Sequence, residues 1–246
     1  MINISIISNN TLLGKILRLP LKLIPGDCKV FILQGKLIGK KWIKGSGVNG
    51  YWLGTYELDK QTLFGKYVKA GDVVFDIGAH VGFYSLLSAQ LAGKDGKVFA
   101  FEPSPGNFEY LKTHSLINDF SNIEPINAAV SFKDGYSFFS RDKNSSQGHL
   151  SGEGDLKVKT VSLDSWVIKE RIPLPDVMKI DVEGAEADVL RGAHEILKSR
   201  HPVIFLSIHN REAHDSCIRL LNSLKYNFKY LKEGDETEII VYYKAL

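Results

Sequence analysis

Beyond Asp59 the chain alternates apolar runs of strand length with longer runs of helical spacing, and no other feature constrains the fold of these 246 residues more tightly. The strand-like runs are "VVFDIG" from Val73, "KVFAFEP" from Lys97, "IEPINAAV" from Ile123, "DVMKIDVEG" from Asp176 and "PVIFLSIH" from Pro202. Between and after them lie the helical runs "GFYSLLSAQLA", "NFEYLKTHSLIN", "AEADVLRGAHEILKSR" and "AHDSCIRLLNSL". Strand, helix, strand at these spacings closes as parallel pairs with crossover helices on both faces of a sheet. The two last runs, around "FKYLK" and "EIIVYYK", are joined by "EGDET", a turn suited to an antiparallel hairpin.

The first part of the chain follows a different pattern. From Lys29 to Glu57 the runs are short, punctuated by glycine and rich in aromatic residues, which predicts hairpins. We therefore expect an amino-terminal β-rich extension or lid over 1–58 and the α/β domain over 59–246. Trp42, Tyr51 and Trp52 fall in the extension, as the core of a small hairpin or as flat faces that stack on a sugar ring. The stretch "SRDKNSSQGHLSGEGD", Ser140 to Asp155, reads as a polar loop with His149 in solvent.

Composition excludes several classes of function. Thirty-one basic residues against 28 acidic ones leave a net charge of +3 with no basic stripe, so nucleic acid is not expected as a partner. The two cysteines, Cys28 and Cys217, lack metal-ligand or redox spacing and read as reduced thiols, which makes the cytoplasm the expected compartment. The segment "TLLGKILRLPLKLIP" cannot span a bilayer, because Lys15, Arg18 and Lys22 interrupt it and Pro20 breaks it. It reads as no signal peptide, but as a short helix packed on the domain or, at most, a basic element resting on a membrane surface.

In an open parallel sheet ligands bind beyond the carboxyl ends of the strands, and "VVFDIGAHVGFYS" marks such an end. Glycines there let the backbone approach a ligand, and the free N–H groups of the helix that follows point at it. Gly78-Ala79-His80-Val81-Gly82 has the wrong spacing for a pyrophosphate turn, which argues against a dinucleotide-dependent oxidoreductase. Asp76 at the strand end would repel a phosphate but accept from an ammonium group. Glu102 ends the next strand, at a distance along the chain where an acid takes ribose hydroxyls in this topology, and Pro103 fixes the turn that aims it. A ribose, a cation and no pyrophosphate together describe S-adenosylmethionine.

The blocks "FDIGAHVGFYS", "VFAFEPSPGNFEYL", "INAAVS", "SLDSW" and "MKIDVEGAEADVLRGAHEIL" resemble the FkbM family of S-adenosylmethionine-dependent methyltransferases, from about Leu53 to His209. The resemblance implies a class I, Rossmann-like three-layer sandwich around a mostly parallel seven-stranded sheet with an antiparallel carboxy-terminal hairpin. It implies O-methylation of a hydroxyl on a sugar, a glycan or a glycosylated natural product. The implied cofactor set is Asp76, Gly78, Ala79, His80, Gly82, Tyr84 and Ser85 around the glycine turn, Glu102 and Pro103 for ribose, Asn127 and Ala128 beside adenine, and Asp181 near the methyl group. Two positions depart from the family: His80 stands where asparagine is usual, and Ser207-Ile208-His209 lacks the glutamate of the usual E-x-H.

A sugar hydroxyl is a poor nucleophile while protonated, so a general base is expected among Asp181, Glu183 and His209, with Lys179 two residues earlier on the strand face of Asp181. Glu186 reads as a surface acid at a helix start. No metal is predicted, a divalent ion that lowers the hydroxyl's pKa being the other route to the same activation. Methylation of an amine or a small carboxylate, or binding without turnover given Ser207, are the rival readings.

Overall fold

The computed structural model of the protein describes residues 11, 21, 23–141, 148–151, 156–232 and 234–243. Most of the leucine-rich segment from Thr11 to Pro25 lies outside the described residues, as does the side chain of His149.

The strands in chain order are β1 (Lys29–Phe31), β2 (Lys41–Ile43), β3 (Val73–Ile77), β4 (Lys97–Phe101), β5 (Ile123–Ile126), β6 (Ala129–Val130), β7 (Gly135–Arg141), β8 (Gly148–Ser151), β9 (Leu156–Val161), β10 (Val177–Ile180), β11 (Val203–Ser207), β12 (Asn227–Lys232) and β13 (Asp235–Tyr242). Seven of them form the central sheet in the order β12-β13-β11-β10-β3-β4-β5. β3 pairs in parallel with β4 and β10, β4 with β5 and β10 with β11, whereas β13 runs antiparallel between β11 and β12. The chain leaves β3 toward β4 and β5 and returns to β10 on the other side, so the strand order reverses beside β3. That reversal opens the crevice in which ligands sit in this topology.

Alternation along each central strand divides the core in two. Phe75, Ile77, Phe99, Phe101, Met178 and Ile180 face one layer of helices, among them Leu163–Glu170 and Arg211–Ser223. Val74, Val98, Ala100, Val177 and Phe205 face the other, built on the helix Phe83–Ala92. That helix is apolar nearly all round, which a single sheet face cannot satisfy. The amino-terminal segment covers its outer side with Ile32, Leu37, Trp42, Tyr51, Trp52 and Phe64.

This segment meets the hairpin expectation only in part. Only β1 and β2 pair there among the described residues, and the chain then forms the helices Gly50–Leu53 and Leu58–Tyr67. Consecutive Tyr51 and Trp52 are both buried, whereas a strand would send them to opposite faces with one layer to cover them. Gly54 ends the short helix at φ +73°, pressed so closely on Gln34 that a Cβ would lie 2.1 Å from its carbonyl oxygen.

The polar-loop expectation is also corrected. β6, β9, β7 and β8 form a second, four-stranded sheet, in which Gly148–Ser151 pair with Phe138–Arg141. Polar side chains do not prevent a backbone ladder from satisfying its N–H and C=O groups, and that satisfaction is what the strand supplies. The predicted helix from Ala185 to Arg200 is two helices, Glu186–Gly192 and His194–Ser199. Gly192 abuts the carbonyl of Ser131, where a Cβ would lie 2.1 Å away.

Candidate active site

A cavity of about 610 Å³ opens at the carboxyl ends of β3, β4, β10, β11 and at Glu238 of β13. Its floor is the glycine turn. Gly78 takes φ +76°, and a Cβ there would fall 1.9 Å from the carbonyl oxygen of Asp181, so only glycine lets the ends of β3 and β10 approach this closely. His80 also adopts a left-handed conformation, at φ +52°. Asparagine and histidine are both enriched there, which accounts for the tolerated departure at this position.

Glu102 closes one end. Its Oε2 accepts from the backbone N–H of His80 at 2.8 Å and its Oε1 from that of Ser104 at 2.9 Å, so the carboxylate is fixed across the turn. It is 4% exposed, and burial pushes its pKa up to about 7 against the pull of those two N–H groups. Ala79, Pro103 and Ala128 line the cavity beside it. Asn127 stands off the wall and donates to the carbonyls of Glu102 at 2.8 Å and Pro103 at 3.2 Å.

Asp76 lies beneath the floor, fully buried. It accepts from Ser85 Oγ at 2.6 Å, and the ammonium it faces is that of Lys179, at 3.6 Å. Lys179 also reaches Asp181 at 3.3 Å and donates to the carbonyl of Gly78 at 3.1 Å. Burial alone would lower the Lys179 pKa, but Asp181 and Asp76 outweigh it and hold the ammonium above its usual range. Burial works to raise Asp181, and Lys179, Lys60 and His209 together bring it below the usual carboxylate value. Gly82 packs on Leu111 rather than on the cavity, and Tyr84 forms part of the wall.

At the opposite end His209 follows β11. Its Nδ1 donates to Glu186 Oε1 at 2.6 Å, and its Nε2 lies 3.4 Å from both Asp181 Oδ1 and Glu183 Oε2. Glu186 is not the surface acid that its helix-start position predicts. It is fully buried and holds both His209 and the N–H of Gly184, at 2.9 Å. An ionised carboxylate only accepts, so Glu186 fixes the proton on Nδ1 and leaves Nε2 for chemistry. The bond to Glu186 raises the His209 pKa, partial burial opposes it, and Asp181 and Glu183 add to the rise. Asp181, Glu183 and His209 each offer an atom within 4.8 Å of the others, a set that fits one small cation as well as an imidazolium.

Of the three aromatics singled out in the amino-terminal segment, Tyr51 reaches the wall, whereas Trp52 does not and instead donates to Asn49 Oδ1 at 3.1 Å. Sequence reasoning missed Tyr56 and Glu57, which reach the wall from the same segment. Ser207, which stands where a glutamate was expected, is paired across the ladder with Glu238. Lys60 donates to Ser207 Oγ at 2.8 Å and ion-pairs with Glu238 at 2.6 Å and Glu57 at 3.7 Å. A carboxylate therefore stands beside His209's strand after all, contributed by β13. Nothing local to Glu57 or Glu238 signals this; the strand pairing does.

The sheet order, the glycine turn at the reversal and the acid ending the next strand define a class I methyltransferase. Residues 76–230 match the methyltransferase FkbM domain, and the chain belongs to the FkbM methyltransferase family. It is 30% identical over 172 residues to the hexuronic acid methyltransferase AglP of Haloferax volcanii, a match covering 69% of this chain and 70% of that protein. To the 31-O-demethyl-FK506 methyltransferase FkbM of Streptomyces tacrolimicus it is 26% identical, covering 59% of this chain and 68% of the relative. The crystal structure of methyltransferase FkbM from Methylobacillus flagellatus KT superposes with a TM-score of 0.50 at 16% identity, over 70% of this chain and 43% of that one, a likeness of fold. The protein is thus an S-adenosylmethionine-dependent methyltransferase. Among the described residues no helix is long and apolar enough to cross a membrane.

Proposed function

We propose that the protein methylates a hydroxyl of a sugar, within a glycan or a glycosylated product. The observation that carries this reading is the Glu186–His209 pair, whose Nε2 stands 3.4 Å from Asp181 and from Glu183 at the end of the cavity away from Glu102. Glu102 holds the ribose, Ala128 lies along the adenine, and the wall from Gly78 to Asp181 receives the methionine end. S-adenosylmethionine supplies an electrophilic methyl group whose bond to sulfur breaks with its electron pair returning to sulfur.

The chain's residues do the rest. The strand ends fix the acceptor oxygen in line with the methyl, which converts an encounter of two molecules into a step within one complex. His209 Nε2 takes the hydroxyl proton as the carbon–oxygen bond forms, and Asp181, Glu183 and Glu186 stabilise the imidazolium. Support for a sugar acceptor comes from the hexuronic acid named for AglP and from the tyrosines that line the wall, and the 31-O position named for FkbM supports a hydroxyl as the methylated group.

The test is methyl transfer from labelled S-adenosylmethionine to a panel of glycans and nucleotide sugars. His209→Ala and Asp181→Asn should each lower kcat by roughly 10² or more, with S-adenosylhomocysteine still bound by the His209 variant. A fully active His209→Ala enzyme would remove the imidazole from the reaction.

A further inference from the structure

The charge of the acceptor end differs from what a sugar acid would need. Glu102 and Asp181 follow β4 and β10, two strand spacings apart with β3 between them, roughly 10 Å. A cofactor held between them leaves the region bounded by β10, β11 and β13 for the acceptor. That region is walled by Glu57, Asp181, Glu183 and Glu238. The cations in reach are already engaged, Lys179 between Asp76 and Asp181, and Lys60 between Glu57 and Glu238. Among the described residues Lys179 alone of the lysines, and no arginine, lines the cavity, with Lys60 behind its wall. His209 has carboxylates at both ring nitrogens.

The remaining surface points the same way. Glu186, fully buried behind His209, keeps one carboxylate oxygen without a hydrogen-bond partner. Tyr51, Tyr56 and Tyr84 line the same cavity with aromatic rings, side chains that favour cations and uncharged sugars over carboxylates. Lys179 lies 5.4 Å and Lys60 5.7 Å from the Tyr84 ring centre. A negative potential enclosed by apolar walls is focused rather than screened. An acceptor carboxylate would meet several carboxylates and no free cation, whereas hydroxyls and an ammonium find acceptors throughout.

We propose that the acceptor site selects by charge, admitting uncharged sugars, preferring amino sugars and rejecting uronic acids, in contrast to the hexuronic acid named for the relative AglP. The inference rests on the sugar-hydroxyl reading and narrows its substrate class. Glu57 and Glu238 are the discriminating residues, because two carboxyl groups share the single lysine between them.

The experiment uses the full chain loaded with S-adenosylhomocysteine. Methyl glycosides of glucosamine, glucose and glucuronic acid, and their galacto epimers, are titrated by ligand-observed NMR, and methyl transfer to the same six is measured with labelled S-adenosylmethionine. The expected order is amino sugar, then neutral sugar, then uronide, with the uronide at least about tenfold weaker than the neutral sugar. In the Glu57→Gln, Glu238→Gln double variant that gap should narrow. Should the double variant lose S-adenosylhomocysteine and so prove misfolded, raising the salt concentration on the wild type should narrow the gap instead. A uronide that binds or reacts as well as the amino sugar, or a gap unmoved by both the variant and salt, overturns the inference while leaving sugar methylation standing. If none of the sugars is methylated, the sugar reading fails. The charge selection is then decided by ethanolamine against glycolate: preferential binding of ethanolamine upholds it, and equal or reversed binding overturns it.

Discussion

Lowering the pH from 7 to 5 should weaken S-adenosylhomocysteine binding by about 50-fold, and the cause is Glu102. Its carboxyl is buried, with a pKa pushed up to about 7. Both oxygens already serve backbone donors, His80 N and Ser104 N. The ionised form accepts ribose hydroxyls most strongly through its remaining lone pairs, whereas protonation turns one oxygen into a donor and removes the charge that strengthens those bonds. About half of the sites are ionised at pH 7 and about one in a hundred at pH 5, and that ratio corresponds to about 2.3 kcal/mol. Calorimetry at the two pH values, in buffers of different ionisation enthalpy, should show the affinity change and the release of about half a proton per site at pH 7. Linkage carries the opposite sign for the free protein: a carboxyl whose pKa is raised on folding contributes stability that is fully present below its unfolded value of about 4.5 and is lost as pH rises through about 7. Thermal melts of the free protein across that interval supply a second reading. An affinity equal at pH 5 and 7, or a Glu102→Gln variant that keeps the wild-type pH dependence, would refute the reasoning.

Two further outcomes follow from the buried charges. Lys179→Met leaves Asp76 fully buried with Ser85 as its remaining hydrogen-bond donor, and thermal melts should show a loss of about 3–5 kcal/mol, partly restored by adding Asp76→Asn; a variant as stable as the wild type would show that the pair does not stabilise the fold. Glu186→Gln removes the carboxylate whose hydrogen bond contributes most to raising the His209 pKa, so the alkaline rise of kcat, which follows neutral imidazole, should move to lower pH together with the His209 ring resonance in NMR titration. An unmoved profile would place the kinetic ionisation on another group.

The sequence by itself determined the sheet and the floor of the site. Largely apolar runs such as Val73–Ile77, interrupted only by Asp76, form strands because they are buried on both faces, and the crossover helices between them leave parallel pairing as the arrangement that closes. Gly78, Glu102, Asp181 and His209 were legible because each sits at a strand end, where position along the chain and position in the crevice coincide. The amino-terminal segment was not legible, since its glycines and aromatics suit a hairpin locally, and what decided for helices was the uncovered outer side of Phe83–Ala92. Tertiary structure alone also decided the roles of Glu57, Glu186 and Glu238. Glu186 is an acid in the first turn of a helix, which in isolation belongs in water, and it is buried because His209 arrives from β11 to bond it. Glu238 reaches the cavity because β13 runs antiparallel and pairs it with Ser207, and Glu57 because Lys60 and Tyr84 draw it in. A side chain's charge is written in its own residue, but the partners that make burying the charge tolerable come from elsewhere in the chain and exist only once the fold has closed.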